Sequence, residues 1–169
     1  MLACSERELS RIASELAAEL GPCDRVLLEG PMGSGKSTFA RALIEALGVD
    51  RPPEGSPSFA IAHEYRATRL EGRAKGTASA PAEVIHLDFY RLRSEVEIEE
   101  AGISAYFWER DALVITEWIS LFENFRNAVL RAAPPGRMTW KVELSFAAQA
   151  DDQRNVLIEP LSPSSKAAQ

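Results

Sequence analysis

Cysteine is nearly absent from this sequence: Cys4 and Cys23 are the only two. That is too few for a disulfide framework, and they lack the paired spacing of a zinc site. Long apolar runs are missing as well, since no stretch reaches the roughly 18 apolar residues of a membrane span. The first residues, MLACSERELSRIASELAAEL, carry no basic leader followed by an unbroken apolar run. The expectation is a cytoplasmic protein in a reducing setting, neither secreted nor membrane-spanning. Basic charge is in deficit: 19 Lys and Arg face 25 Asp and Glu, for a net charge of −6. Broad, direct binding to nucleic acid or anionic lipid is therefore disfavoured. What the chain does have is 169 residues, 46% of them hydrophobic, enough for one domain with a sizeable core. Residues 1–160 are expected to form that single domain and residues 161–169 a disordered tail.

Ser5 with Glu8 three positions on makes a capping box, and Leu9, Ile12, Leu16 and Leu20 recur at helical spacing. A helix over 5–20 follows. Arg25–Glu29 is a short apolar strand ending in a glycine-rich turn, and 36–47 returns to helix periodicity through Phe39, Leu43, Ile44 and Leu47. Residues 56–65, with Pro57 and then Phe59, Ile61 and His63 on one face, read as a loop running into a strand. Residues 67–82 are small and polar and read as a flexible insertion in loop form. Strands are expected at 84–90 and 112–116, with an acidic helix over 95–108 that Gly102 interrupts, and a further helix at 121–130. Met138–Phe146 and Asn155–Glu159 form a terminal hairpin, with the tail beginning at Pro160. Strands alternating with helices predict an α/β, three-layer P-loop NTPase-like fold with a central mixed, partly parallel sheet and a C-terminal β-hairpin.

Gly30-Pro31-Met32-Gly33-Ser34-Gly35-Lys36-Ser37 satisfies the G-x-x-x-x-G-K-[ST] pattern between a predicted strand and a predicted helix. The glycines let successive backbone N–H groups, from Gly33 through Ser34 and Gly35 to Lys36, turn toward a phosphate at the positive end of the helix. Lys36 then bridges phosphate oxygens, the Ser37 hydroxyl ligates Mg²⁺, and Thr38 follows in the first helical turn. Such a loop needs a carboxylate near the metal, at the end of a neighbouring strand. Glu117 and Asp88 both qualify. Strand alternation puts His86, Asp88 and Tyr90 on one face; a lone histidine there is more simply a packing residue than a ligand. The run Glu95–Glu100 reads as a solvated helix face.

Taken together, these segments resemble a known family. The phosphate loop, Ser56-Pro57-Ser58-Phe59 with Glu64-Tyr65, His86-Leu87-Asp88-Phe89-Tyr90-Arg91-Leu92, Ala101-Gly102-Ile103-Ser104-Ala105-Tyr106 and Ile115-Thr116-Glu117-Trp118 occur in the order and approximate spacing of the TsaE family, also called YjeE. The resemblance implies a bacterial cytoplasmic ATPase, dependent on ATP and Mg²⁺. Such a protein works with TsaB and TsaD in making threonylcarbamoyladenosine in tRNA and reaches tRNA only through that complex. It implies that Ser58 stands at the hydroxyl of a switch segment, Asp88 at a functionally important aspartate, Glu117 at the carboxylate near Mg²⁺ and Trp118 beside the nucleotide. The chain departs from the family pattern at Pro31, Met32 and Ser37, none of which removes a contact that phosphate binding requires, and at Ser58, where serine in place of threonine keeps the hydroxyl but drops a methyl.

Two other readings use the same loop. One is a small-molecule kinase in which Arg66, Arg69, Arg73 and Lys75 close over phosphate. The other is a nucleotide-gated binding module without significant turnover.

Overall fold

The computed structural model describes residues 2–57, 61–68, 82–132, 137–148 and 153–161. Its strands are β1 (Leu2–Cys4), β2 (Arg25–Glu29), β3 (Ala62–Ala67), β4 (Ala82–Asp88), β5 (Ala112–Glu117), β6 (Thr139–Phe146) and β7 (Arg154–Leu161). Its helices are α1 (Glu6–Glu19), α2 (Lys36–Ala46), α3 (Glu95–Glu100), α4 (Ala105–Trp108) and α5 (Glu123–Arg131), with a 3₁₀ turn at Ile119–Leu121. The strands form one seven-stranded sheet in the order β1-β7-β6-β2-β5-β4-β3. The central four, β6, β2, β5 and β4, run parallel, while β3 and β7 pair antiparallel at their flanks.

Alternation along β2 makes the three layers visible. Val26 and Leu28 pack into a core shared with α1 and α2, whereas Leu27 joins a second core with Ile98, Phe107 and Phe125 on the opposite face. A strand buried on both sides has no polar face, which is why Val26-Leu27-Leu28 reads as a continuous apolar run. The capping box forms as the sequence requires: the Ser5 side chain accepts from the Glu8 N–H and Glu8 accepts from the Ser5 N–H.

Several boundaries differ from expectation for identifiable reasons. β1 is too short to carry a periodic signal and is specified by its antiparallel pairing with Arg154–Val156. The strand expected from Phe59 through Ile61 starts later, because Ile61 has φ +66°, and β3 opens at Ala62; Phe59 lies outside the described residues. Ala67 and Ala82 pair as the last rung between β3 and β4, so both bounds of the expected insertion belong to strands. Residues 69–81 lie outside the described residues. β7 continues through Pro160 and Leu161, opposite Trp140 and Thr139. Among the described residues, β1 pairs with β7 only as far as Val156, opposite Leu2; beyond it β7 lies at the edge, and an edge tolerates proline's missing N–H. Residues 162–169 also fall outside the described residues.

The side chain of Arg25 is buried and ties two helix ends to the sheet. Its guanidinium donates to the carbonyl of Val129 in α5 and to that of Phe107 in α4 at 2.9 Å, and it lies 5.7 Å from the Phe107 ring centroid. Burial, with a smaller contribution from nearby Arg137, pushes its pKa down to about 10. Arg25→Met should therefore destabilise the fold by roughly 2 kcal/mol, because two carbonyls at helix ends lose their donor while some desolvation cost is relieved. For a chain of this size that is a fall in Tm of about 4–8 °C, and an unchanged melting curve would exclude this role.

Candidate nucleotide-binding site

The loop between β2 and α2 lies at the C-terminal edge of the parallel strands, where open α/β sheets bind ligands. Gly30, Gly33 and Gly35 all have positive φ, at 138°, 76° and 98°. Gly30 is the most constrained: a Cβ built there would lie 2.0 Å from the backbone oxygen of Leu144 in β6. Gly30→Ala should therefore displace β6 or the loop and yield little soluble protein. Wild-type yield and Tm would contradict that geometry.

α2 begins with no side-chain cap at Gly35 and no acidic residue in its first turn. The N-termini of α1 and α3, by contrast, are capped by Ser5 and Ser94. The leading N–H groups of α2 are thus left for an anion from outside the chain. Lys36 is buried rather than placed on an exposed loop, with 4% of its surface accessible. Its Nζ donates to the carbonyls of Gly30 and Pro31, both at 2.9 Å, and sits 3.8 Å from the Trp118 ring centroid. Desolvation pushes its pKa below the ordinary lysine value, an effect partly offset by Glu117 and Asp88. Trp118 reaches this position because it turns out of β5 with φ +64°, a conformation rare for a bulky residue.

Asp88 and Glu117 end β4 and β5 and face each other as register partners, both buried. One Glu117 oxygen, Oε2, accepts from the Ser37 hydroxyl at 2.8 Å, and Oε1 accepts from His86 Nε2 at 2.9 Å. Asp88 accepts from the Ser56 hydroxyl on Oδ2 and from the Tyr90 N–H on Oδ1 at 2.9 Å. The Tyr90 ring in turn lies 5.2 Å from that of Trp118.

Gly33, Gly35, Lys36, Ser37, Thr38, Asp88, Glu117 and Trp118 line one cleft of about 320 Å³, together with Met32, Ser56 and Tyr90. Ser34 is not among its lining residues; its side chain is fully buried with Oγ unpartnered, and its N–H donates to the Pro31 carbonyl at 3.2 Å. Ser58 lies outside the described residues. The sequence sets Tyr90 on one face with His86 and Asp88 and Ser56 beside Ser58 without giving either a role in the site, and it favours packing over a ligand role for His86. The Tyr90 contact is local, its N–H reaching Asp88 from two residues on, whereas the Ser56 contact with Asp88 joins segments 32 residues apart. A lysine ammonium, open helix N–H groups, a serine hydroxyl and two carboxylates form a donor set suited to a phosphate ester with a hard divalent cation such as Mg²⁺.

A family model described as threonylcarbamoyl adenosine biosynthesis protein TsaE matches residues 3–156. Curated proteins named tRNA threonylcarbamoyladenosine biosynthesis protein TsaE are similar to the chain. The one from Bacillus subtilis is 34% identical over 117 residues, a match covering 69% of this chain and 64% of that protein. The one from Aquifex aeolicus is 32% identical over 129 residues, covering 73% and 88%. A third, from Rickettsia conorii, is 31% identical over 120 residues, covering 71% and 61%. The chain thus spans less than two thirds of the length of the Rickettsia conorii and Bacillus subtilis proteins. The crystal structure of Bacillus subtilus YdiB has the same fold, with a TM-score of 0.62 at 24% identity, covering 95% of this chain and 86% of that one.

Proposed function

This chain belongs to the TsaE family of threonylcarbamoyl adenosine biosynthesis proteins, and from that premise we propose that it is the Mg²⁺-dependent ATPase of a cytoplasmic tRNA threonylcarbamoyladenosine machinery, working with TsaB and TsaD. The observation that carries this reading is the convergence of Lys36, Ser37, Glu117 and Asp88 on one cleft at the uncapped start of α2. Lys36 holds positive charge against the β- and γ-phosphates, and the N–H groups of the loop orient them. Ser37 and Glu117 would hold Mg²⁺, which when bound would neutralise charge that develops on the phosphate oxygens. Asp88, fixed by Ser56 and the Tyr90 N–H, orients the attacking water and accepts its proton. Trp118 packs over the lysine and narrows access of bulk water to it.

Partner proteins rather than tRNA are the expected contacts, since a net charge of −6 offers little counterion release on a phosphate backbone. Phosphate release should be slow with the chain alone and rise on adding TsaB and TsaD. Turnover that rises instead with one small-molecule acceptor would favour a kinase. Nucleotide binding without any phosphate release, with or without partners, would leave a binding module.

A further inference from the structure

His86 is an imidazole at a depth where an aliphatic side chain would ordinarily pack. It is 1% exposed, and its Nδ1 is buried without a hydrogen-bond partner among the described residues. A structural role alone would favour leucine, which leaves no orphaned polar atom. Among the described residues, the polar contact that accounts for the ring is Nε2 with Glu117 Oε1 at 2.9 Å. An ionised carboxylate can only accept, so the imidazole donates from Nε2. Register explains the reach: His86 lies opposite Ile115 in β5, two residues before Glu117 and on the same face of the sheet.

The two oxygens of Glu117 are therefore not equivalent. Oε1 is held by His86 in the sheet, and Oε2 accepts from the hydroxyl of Ser37, which lines the cleft. We propose that His86 is a positioning residue that restricts Glu117 to one oxygen at the cation site and so favours Mg²⁺ over Ca²⁺. Mg²⁺ takes near-ideal octahedral geometry and keeps several waters, which suits a carboxylate offering a single oxygen. Ca²⁺ accepts six to eight ligands and is well served by a bidentate one. Freeing Oε1 weakens the orientation that Mg²⁺ needs while opening the two-oxygen mode that Ca²⁺ uses. The proposal rests on the Mg²⁺-nucleotide reading above.

Its test is calorimetric titration of ATP into wild type, His86→Leu, His86→Asn and His86→Gln over a series of MgCl₂ or CaCl₂ concentrations, with metal-free titrations and melting curves alongside. The Mg²⁺ midpoint should rise about tenfold in His86→Leu and His86→Asn, in keeping with the loss of a residue that orients a metal ligand. The Ca²⁺ midpoint should change less, so the preference for Mg²⁺ narrows. Gln is long enough to donate to Oε1 and should restore both, whereas Asn is too short; if the Leu variant does not fold, the Asn and Gln pair makes the same comparison. Wild-type midpoints in the Leu and Asn variants, equal shifts for both ions, or a Gln variant matching Asn would each overturn the proposal. Wild-type binding that needs no divalent ion would sink the metal reading itself, an outcome distinct from those three.

Discussion

Lys36→Ala should lower ATP affinity by about 100-fold or more and leave Tm nearly unchanged. The affinity loss follows from removing a charge-assisted donor from between phosphate oxygens, a contact in the range of roughly 1.5–3 kcal/mol, together with its long-range attraction. The small effect on stability follows from the structure: the ammonium gains two carbonyl partners and the Trp118 face but loses its water, and such terms nearly cancel. Because burial holds the pKa of Lys36 below the usual lysine value, phosphate affinity should be complete at lower pH. It should decline as pH rises through that lowered value, earlier than an exposed lysine would dictate. Calorimetry across pH and a thermal melt check both parts. Unchanged affinity in a folded Lys36→Ala protein would remove the phosphate-loop assignment.

The second large effect separates the paired carboxylates. Asp88→Asn should leave ATP affinity within a few-fold of wild type and reduce hydrolysis by about 100-fold or more, since positioned proton acceptors contribute roughly 10²–10⁴-fold. Glu117→Ala should instead remove most of the Mg²⁺ dependence of nucleotide binding, because it takes away the carboxylate beside Ser37. It should also cost stability, since His86 Nε2 would lose its acceptor at a fully buried position. Single-turnover phosphate release and Mg²⁺ titration distinguish the two. The reverse pattern would exchange their roles, and wild-type hydrolysis in both variants would remove the site.

Much of this was decided by local sequence. The glycine-rich loop is legible because Gly30, Gly33 and Gly35 all sit at positive φ, and only a handful of residue types serve at fixed offsets in such a motif. The strands β2 and β5 are legible because burial on both faces demands an unbroken apolar run, and α1 because a capping box announces its start. Asp88 and Glu117 could be nominated as strand-end carboxylates beside such a loop.

Tertiary structure alone decided how those residues meet. Nothing local to Lys36 says that its ammonium lies under Trp118, since that depends on a left-handed turn at the end of a distant strand in register with β2. His86 looked like packing because its partner is on another strand, and parallel register, not spacing in the chain, brings it to Glu117. Arg25 reads as the polar start of a strand, yet the folded chain buries it against the ends of two helices. β1 and the last residues of β7 are strands through pairing rather than propensity. The sequence by itself determined most of the helices and strands and the residue types of the candidate site, because those obey short-range periodicity and backbone stereochemistry. The division of labour among Glu117's oxygens, the burial of Lys36 and the anchoring of Asp88 were set only when the sheet brought distant segments into register, because hydrogen bonds and desolvation depend on neighbours that the chain does not hold nearby.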